Sequence, residues 1–291
     1  MKKSNGAIYI VIAAFCWGLF PTFSRIAYKG GISVLTLTMY RATLTAVVYI
    51  IWGLIKGIFK GLKLKDYLFF MFYGIAAVLS TFLFYALAIK ELSAPMAAIL
   101  LYTAPAFVIL FSRLFYKTPI TKTKLFALTL TFVGSFFVVK AYDFSSLKAN
   151  FIGVVFGLLS GISYSMLTII GKKGLKKHSP LVNSFLPTIA SALILCLLVP
   201  PWTVTINSSF LWLIILCVAI FGGVLPYYFY IKGLGMGIDG GNASLLANIE
   251  PLTATICGVI FFSDSLNILQ LFGIAVTLYG AILPQFLEEK C

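Results

Sequence analysis

The chain holds eight acidic residues. Seven of them, Asp66, Glu91, Asp143, Asp239, Asp264, Glu288 and Glu289, fall in polar breaks or at the ends of apolar runs. The eighth, Glu250, falls inside such a run. Counted from the start of its run it lies roughly 14 Å deep, near the centre of a bilayer. A carboxyl at that depth is costly and is a functional candidate by default. The chemistry open to it is binding a cationic group or carrying a coupling proton. A structural carboxyl tied to another helix, with Arg41 as partner, is the other reading. Pro251 follows directly, lacks an N–H and opens the helix ladder near residue 247. Asn248 adds an amide beside it. Arg41 lies about seven residues into a second apolar run. It either snorkels outward or faces inward to hold a carboxylate or Glu250. Arg25 sits nearer a span end, where snorkelling is favoured. Aromatic faces hold cations and flat ligands, which makes Trp17, Tyr85, Tyr102, Tyr164 and the cluster Tyr227, Tyr228 and Tyr230 candidate wall residues, with Tyr228 chosen from the cluster. With 27 Phe, 15 Tyr and 4 Trp in the chain, packing is the competing role for each.

These residues need helices to place them. The chain has 291 residues, 61% hydrophobic and only 10% charged, which fits a membrane protein and no soluble domain. The runs are apolar on all sides, unlike the alternating strands of a barrel. Ten spans result: 7–28, 34–55, 66–88, 93–115, 122–141, 151–171, 180–200, 209–231, 241–262 and 267–287. No loop is long enough to fold alone. The net charge of +14 suggests nucleic acid until its placement is counted. With the N-terminus inside, 16 Lys and Arg lie in inner segments, from Lys2 and Lys3 to Lys290, and 4 (Lys29, Lys90, Lys140, Lys148) in outer loops. That is the positive-inside pattern, with both termini cytoplasmic, and it leaves no nucleic-acid partner to explain.

The spans fall into two copies. Pro251 follows Pro105, Gly280 follows Gly134 and Leu271 follows Leu125, each 146 residues on. Residues 1–141 form a first five-helix repeat and 151–287 a second. Five spans per copy invert the second relative to the first, an arrangement typical of secondary transporters with a site between the halves. Pro105 and Pro251 are candidate hinges, against plain packing kinks. The small residues Ser93 to Ala98 and Gly240 to Ser244 open the fourth and ninth spans and favour close helix approach.

Several chemistries find no support. There is no Walker loop for ATP and no zinc-protease or serine-hydrolase motif. The single histidine, His178, lies in a Lys-rich loop. Cys16, Cys196, Cys217, Cys257 and Cys291 show no metal or disulfide spacing. No cofactor and no metal site is expected. The N-terminal run is too long for a signal peptide and lacks a cleavage site.

The ordered set of motifs resembles the drug/metabolite transporter superfamily, in its bacterial EamA branch. It consists of Trp17-Gly18, Tyr40-Arg41, Tyr85-Ala86-Leu87, Ala104-Pro105 and the run around Gly134. The second copy adds Gly233-Leu234, Ala243 to Leu246, Glu250-Pro251 and the run around Gly280. The resemblance spans nearly the whole chain. It implies ten helices with cytoplasmic termini, and a central cavity lined by the first, third, fourth, sixth, eighth and ninth. It implies export of small metabolites, often amino acids, across a bacterial plasma (inner) membrane. Lys117-Thr118 and Ser263-Asp264 depart from the Lys-Glu or Gly-Glu that closes the fourth and ninth helices in that family. The expected fold is therefore an all-α integral membrane protein of two inverted repeats. The expected function is secondary transport of a small molecule by alternating access, with a proton as candidate coupling ion, lipid as surroundings and a monomer or weak homodimer as the unit. An uncoupled facilitator or channel is the rival, and a membrane enzyme the more distant one.

Overall fold

The computed structural model describes residues 2–143, 150–198, 200 and 206–288. Lys148, Glu289, Lys290 and Cys291 lie outside the described residues. Among the described residues nine helices are long and apolar enough to cross a membrane. They are α1 (Lys2–Lys29), α2 (Val34–Lys56), α3 (Leu64–Glu91), α4 (Ala94–Tyr116), α6 (Phe151–Gly174), α7 (Pro180–Leu198), α8 (Ser209–Gly235), α9 (Gly240–Phe262) and α10 (Ile268–Glu288). Between α4 and α6 lies α5 (Lys122–Val138), whose 17 residues fall just short of that length. Helix is the backbone solution here because hydrocarbon offers no partner to a free N–H or C=O.

Local chemistry sets the ends. Ser33, Thr121, Asn150, Ser208 and Asp239 each accept a hydrogen bond from a backbone N–H in the first turn of α2, α5, α6, α8 and α9, satisfying one of the donors a helix start leaves free. Four of the ten helices are irregular, in matched pairs. α3 widens into a π turn over Gly74–Leu79, and α8 over Ile220–Val224. A π turn leaves carbonyls poorly paired, and a hydroxyl from a neighbouring helix answers each. Thr45 of α2 donates to the Ala219 carbonyl at 3.2 Å, and Ser191 of α7 to the Gly74 carbonyl at 2.9 Å. α4 is interrupted at Tyr102 and Thr103, and α9 at Asn248 and Ile249, where the N–H groups of Thr103, Asn248 and Ile249 turn to carbonyls three residues back. Each interruption stands just ahead of a proline, Pro105 or Pro251, that cannot donate to a carbonyl four residues back. Both helices end on a left-handed residue, Lys117 (φ 54°) and Ser263 (φ 56°). The starts of the π turns, the interruptions, the prolines, the left-handed ends and Thr45 with Ser191 each recur 146 residues apart, and the two accepting carbonyls 145 apart.

Packing crosses the two halves. α1 lies on α8 and α9, α3 and α4 on α6, α2 on α7, and α5 on α10. The α5–α10 seam is close: a Cβ on Gly134 would stand 2.8 Å from the Gly273 carbonyl oxygen, and one on Gly273 would stand 2.7 Å from that of Gly134. The largest apolar core joins α1, α3, α6, α7, α8 and α9 towards the Asp239 end, around Ile10, Tyr73, Leu167, Leu186, Ile231 and Leu246. Tyr73 donates to the Leu167 carbonyl at 2.8 Å, and Thr168 shares a 2.6 Å hydrogen bond with Tyr230. This layer is tied as well as packed.

Candidate functional site

The interruption of α9 makes Glu250 the first residue of a new helical stretch, Glu250–Phe262. A carboxylate there meets the positive end of the helix dipole. α1 comes close enough to frame it because residue 18 is glycine. A Cβ at that position would stand 2.7 Å from the Glu250 carbonyl oxygen and would press on Thr253. The same device recurs at the other interruption, where a Cβ on Gly161 of α6 would stand 2.9 Å from the Leu100 carbonyl oxygen.

Beside Gly18, Trp17 turns into the space this creates. Its ring centroid lies 5.8 Å from Tyr164, 5.7 Å from Tyr227 and 5.5 Å from Tyr230, the first two edge-on. Edge-to-face contacts of this kind hold a rigid aromatic wall. Arg41 is 6% exposed, and its guanidinium lies 3.9 Å from the Phe82 ring centre and 4.7 Å from that of Phe20. Its stem rests on the π turn of α8, where a Cβ on Gly222 would reach 3.2 Å from the Arg41 Cδ. Aromatic stacking suits a planar, weakly hydrated guanidinium better than it would an ammonium.

Glu250, Arg41, Trp17, Tyr85, Tyr102 and Tyr164 line one cavity of about 200 Å³. Six of the eight binding residues expected from sequence thus come together. The other two are placed elsewhere. Tyr228 faces Trp52 at 5.2 Å, and its neighbour Tyr227 lines the cavity instead. Asn248 is 4% exposed, outside the lining, with no hydrogen bond to its Nδ2 among the described residues. Phe20, Tyr28, Thr38, Thr81 and Phe82 join the lining without having been singled out. Phe20, Thr38, Thr81 and Phe82 stand one turn from Trp17, Arg41 or Tyr85, and Tyr28 three turns from Trp17, the spacing that could have found them. The inward reading of Arg41 is the one the geometry matches. Among the described residues no salt bridge joins Arg41 to Glu250, so both charges are available to a third party. Arg25, by contrast, pairs with Asp264 at 2.6 Å, both about half exposed.

The cavity reaches from Glu250 and Trp17 to Tyr28, Val34 and Ile89, at the ends of α1 and α3 and the start of α2. In the opposite direction the Tyr73–Leu246 core fills the space. The cavity therefore has access from one end. Its walls come from the six helices the resemblance implied, with α2 as a seventh.

Profile comparison decides the family. The EamA-like transporter family profile matches residues 4–140 and, a second time, residues 151–284. The chain belongs to the EamA-like transporter family. It is a multi-pass membrane protein of the transporter class. An uncharacterized transporter of Archaeoglobus fulgidus is 32% identical over 68% of this chain and 70% of its own length. The uncharacterized inner membrane transporter YicL of Salmonella typhimurium is 23% identical over 96% and 94%. The uncharacterized transporter YwfM of Bacillus subtilis is 24% identical over 100% and 97%. A solved crystal structure shares the fold of this EamA-family chain, with a TM-score of 0.82, 17% identity and coverage of 99% and 98%.

Proposed function

We propose that this EamA-family protein is a secondary transporter of small zwitterionic metabolites, amino acids or close relatives, in the export direction across a bacterial plasma membrane. The observation that carries the reading is one cavity holding two opposite, mutually unpaired charges, Glu250 and Arg41, within aromatic walls. Glu250 would receive a substrate amine or a coupling proton, and Arg41 a substrate carboxylate. Trp17, Tyr85, Tyr102, Tyr164 and Tyr227 would close on the side chain, and Asn248 would reach the site in a further conformation. The volume of about 200 Å³ falls below the roughly 300–1,000 Å³ of drug-sized pockets and supports a small cargo.

The mechanism we infer is alternating access by two inverted five-helix repeats, 1–141 and 151–287. α5 would be a tenth crossing, which returns both termini to the cytoplasmic side, in line with the positive-inside count. Support comes from the doubled family match and from irregularities that recur 146 residues apart. The interruptions at Pro105 and Pro251 would be the hinges, since discontinuous helices at mid-depth are where such proteins bind and bend.

The test is flux in proteoliposomes after a ligand-stability screen against amino acids, amines and nucleosides, in which binders stabilise the native state by mass action. Glu250→Gln keeps the shape and removes the charge. It should lower saturable flux of the best binder by about tenfold or more with unchanged protein yield. Wild-type flux across pH in that variant removes Glu250 from the site.

A further inference from the structure

A second space, more open and about 520 Å³ in volume, lies at the Asp264 end between α5, α9 and α10. Its lining includes Thr255, Gly258, Asp264, Ser265 and Gln270, and it ends on Tyr102 and Pro251. Tyr102 also lines the central cavity, so the two spaces share this side chain as a wall. Moving back 146 residues from the five lining positions gives Ile109, Ser112, Thr118, Pro119 and Lys124. These five line the matching crevice at the opposite end, together with Asp239 and Gly241. That copy is shut, with about 0 Å³ free.

The two copies differ in their ion pairs: Asp264 of the open crevice pairs with the half-exposed Arg25, whereas the shut crevice holds a near-buried pair of its own. In the shut crevice Lys124 Nζ lies 3.0 Å from Asp239 Oδ1, and the Lys124 side chain is only 5% exposed. The positions 146 residues from them are Gln270, which lines the open crevice, and Ser93, which lies outside its lining; both are uncharged. Gln270 instead donates to the Val138 carbonyl at 3.1 Å, and Ser93 Oγ makes no hydrogen bond among the described residues. We propose that Lys124 and Asp239 are the gating pair of the transport cycle. Joined, they hold the crevice between α4, α5 and α9 shut while its counterpart at the Asp264 end stands open; parted, they reverse the two. The proposal rests on the two-repeat, alternating-access reading.

The physics of such a pair suits a switch. A near-buried ion pair loses much of its Coulomb gain to desolvation. When the crevice opens, each charge exchanges its partner for water, so the shut state is favoured by a small margin that the opening of the other crevice can offset. Asp239 has a second duty, accepting from the Gly241 N–H at 3.0 Å to start α9. Asp239→Asn separates the two roles, because Asn caps a helix as well as Asp does and carries no charge.

The experiment places a reporter cysteine in each crevice, Ser112→Cys or Thr255→Cys, in the full chain in nanodiscs, where both faces meet solvent. Reaction with a small water-soluble maleimide is timed against a Cys291→Ser parent, whose Cys16 and Cys257 are buried and Cys196 and Cys217 part-buried. In the parent background the Thr255→Cys reporter should react about tenfold faster than the Ser112→Cys reporter. Adding Asp239→Asn should speed the Ser112→Cys reporter about fivefold or more and slow the Thr255→Cys reporter. Lys124→Met should act the same way, and carries the test where Asp239→Asn does not accumulate. Lys124→Arg, which keeps the pair, should keep the parent pattern. An unchanged Ser112→Cys rate, or both rates rising together as in simple loosening, overturns the gating pair. Saturable flux alongside unchanged labelling rejects this pair and leaves the transport reading standing. Failure of every screened solute to show saturable flux rejects that reading itself.

Discussion

Arg41 carries its charge between two rings, and the rings decide what may replace it. Lysine keeps the charge and loses the flat stacking over Phe82 and Phe20. A cation–π contact away from water contributes about 0.5–2 kcal/mol. Arg41→Lys should therefore raise the half-saturating substrate concentration about twofold to thirtyfold, with yield and melting temperature near the parent's. Concentration-dependent flux is the measurement, and an unchanged half-saturation point would return Arg41 to a packing role. The second arginine behaves differently. The Arg25 guanidinium hydrogen-bonds Asp264 and holds that carboxyl below its ordinary range. A carboxyl held low in the fold adds stability above its unfolded value of about 3.9, and loses it as pH falls through the folded value. The pair is exposed and so contributes little. Melting curves of parent and Asp264→Asn in detergent should differ slightly at neutral pH, parent higher, and converge in strong acid. A gap that widens on acidification would reverse the assignment.

At the scale of elements, the interruptions of α4 and α9 join a freed carbonyl, a proline and a glycine on the facing helix. Pro105→Ala and Pro251→Ala should restore part of the α ladder. Turnover should then slow more than binding weakens, as separate measurements of maximal flux and of ligand-induced stabilisation would reveal. Gly18→Ala meets the Glu250 carbonyl directly and should destabilise by about 1–3 kcal/mol, the usual consequence of overpacking, read as lower yield and melting temperature. The same elements show where sequence could be read and where it could not. Proline and glycine announce themselves, so the break near residue 247 and the copy at Pro105 were legible, as were spans such as 34–55 against the observed Val34–Lys56. Wide turns leave no comparable mark. The extra residue of a π turn rotates whatever follows it by about 100°. Ile220–Val224 stands just ahead of the tyrosine cluster, so which of its rings faces the cavity does not follow from counting along an unbroken helix. Phe82 was hidden by abundance, one phenylalanine among 27.

For the molecule as a whole, nearly every strong helix contact crosses from residues before 144 to residues after 149. Neither half owns a core: Tyr73 needs Leu167, Trp17 needs Tyr164 and Tyr227, and Gly134 needs Gly273. Splitting the chain between Asp143 and Asn150 should therefore give two fragments that accumulate poorly alone and copurify when coexpressed. Size-exclusion chromatography of the separate and joint products is the check. A stable, monomeric single half would mean that the halves are domains in their own right, contrary to this packing.

The short α5 has one more effect, on the lipid around it. Its 17 helical residues rise roughly 26 Å at 1.5 Å each, less than the ~30 Å of hydrocarbon in an ordinary bilayer. Pinned to α10 by glycine contacts on both sides, α5 is held against sliding or tilting independently to make up the difference. As the tenth crossing proposed above, α5 would thin the membrane along that edge, as bilayers do around a span shorter than themselves. On that reading the protein would carry a local depression in the surrounding leaflets, and transport should vary with acyl-chain length as well as with the residues of the cavity.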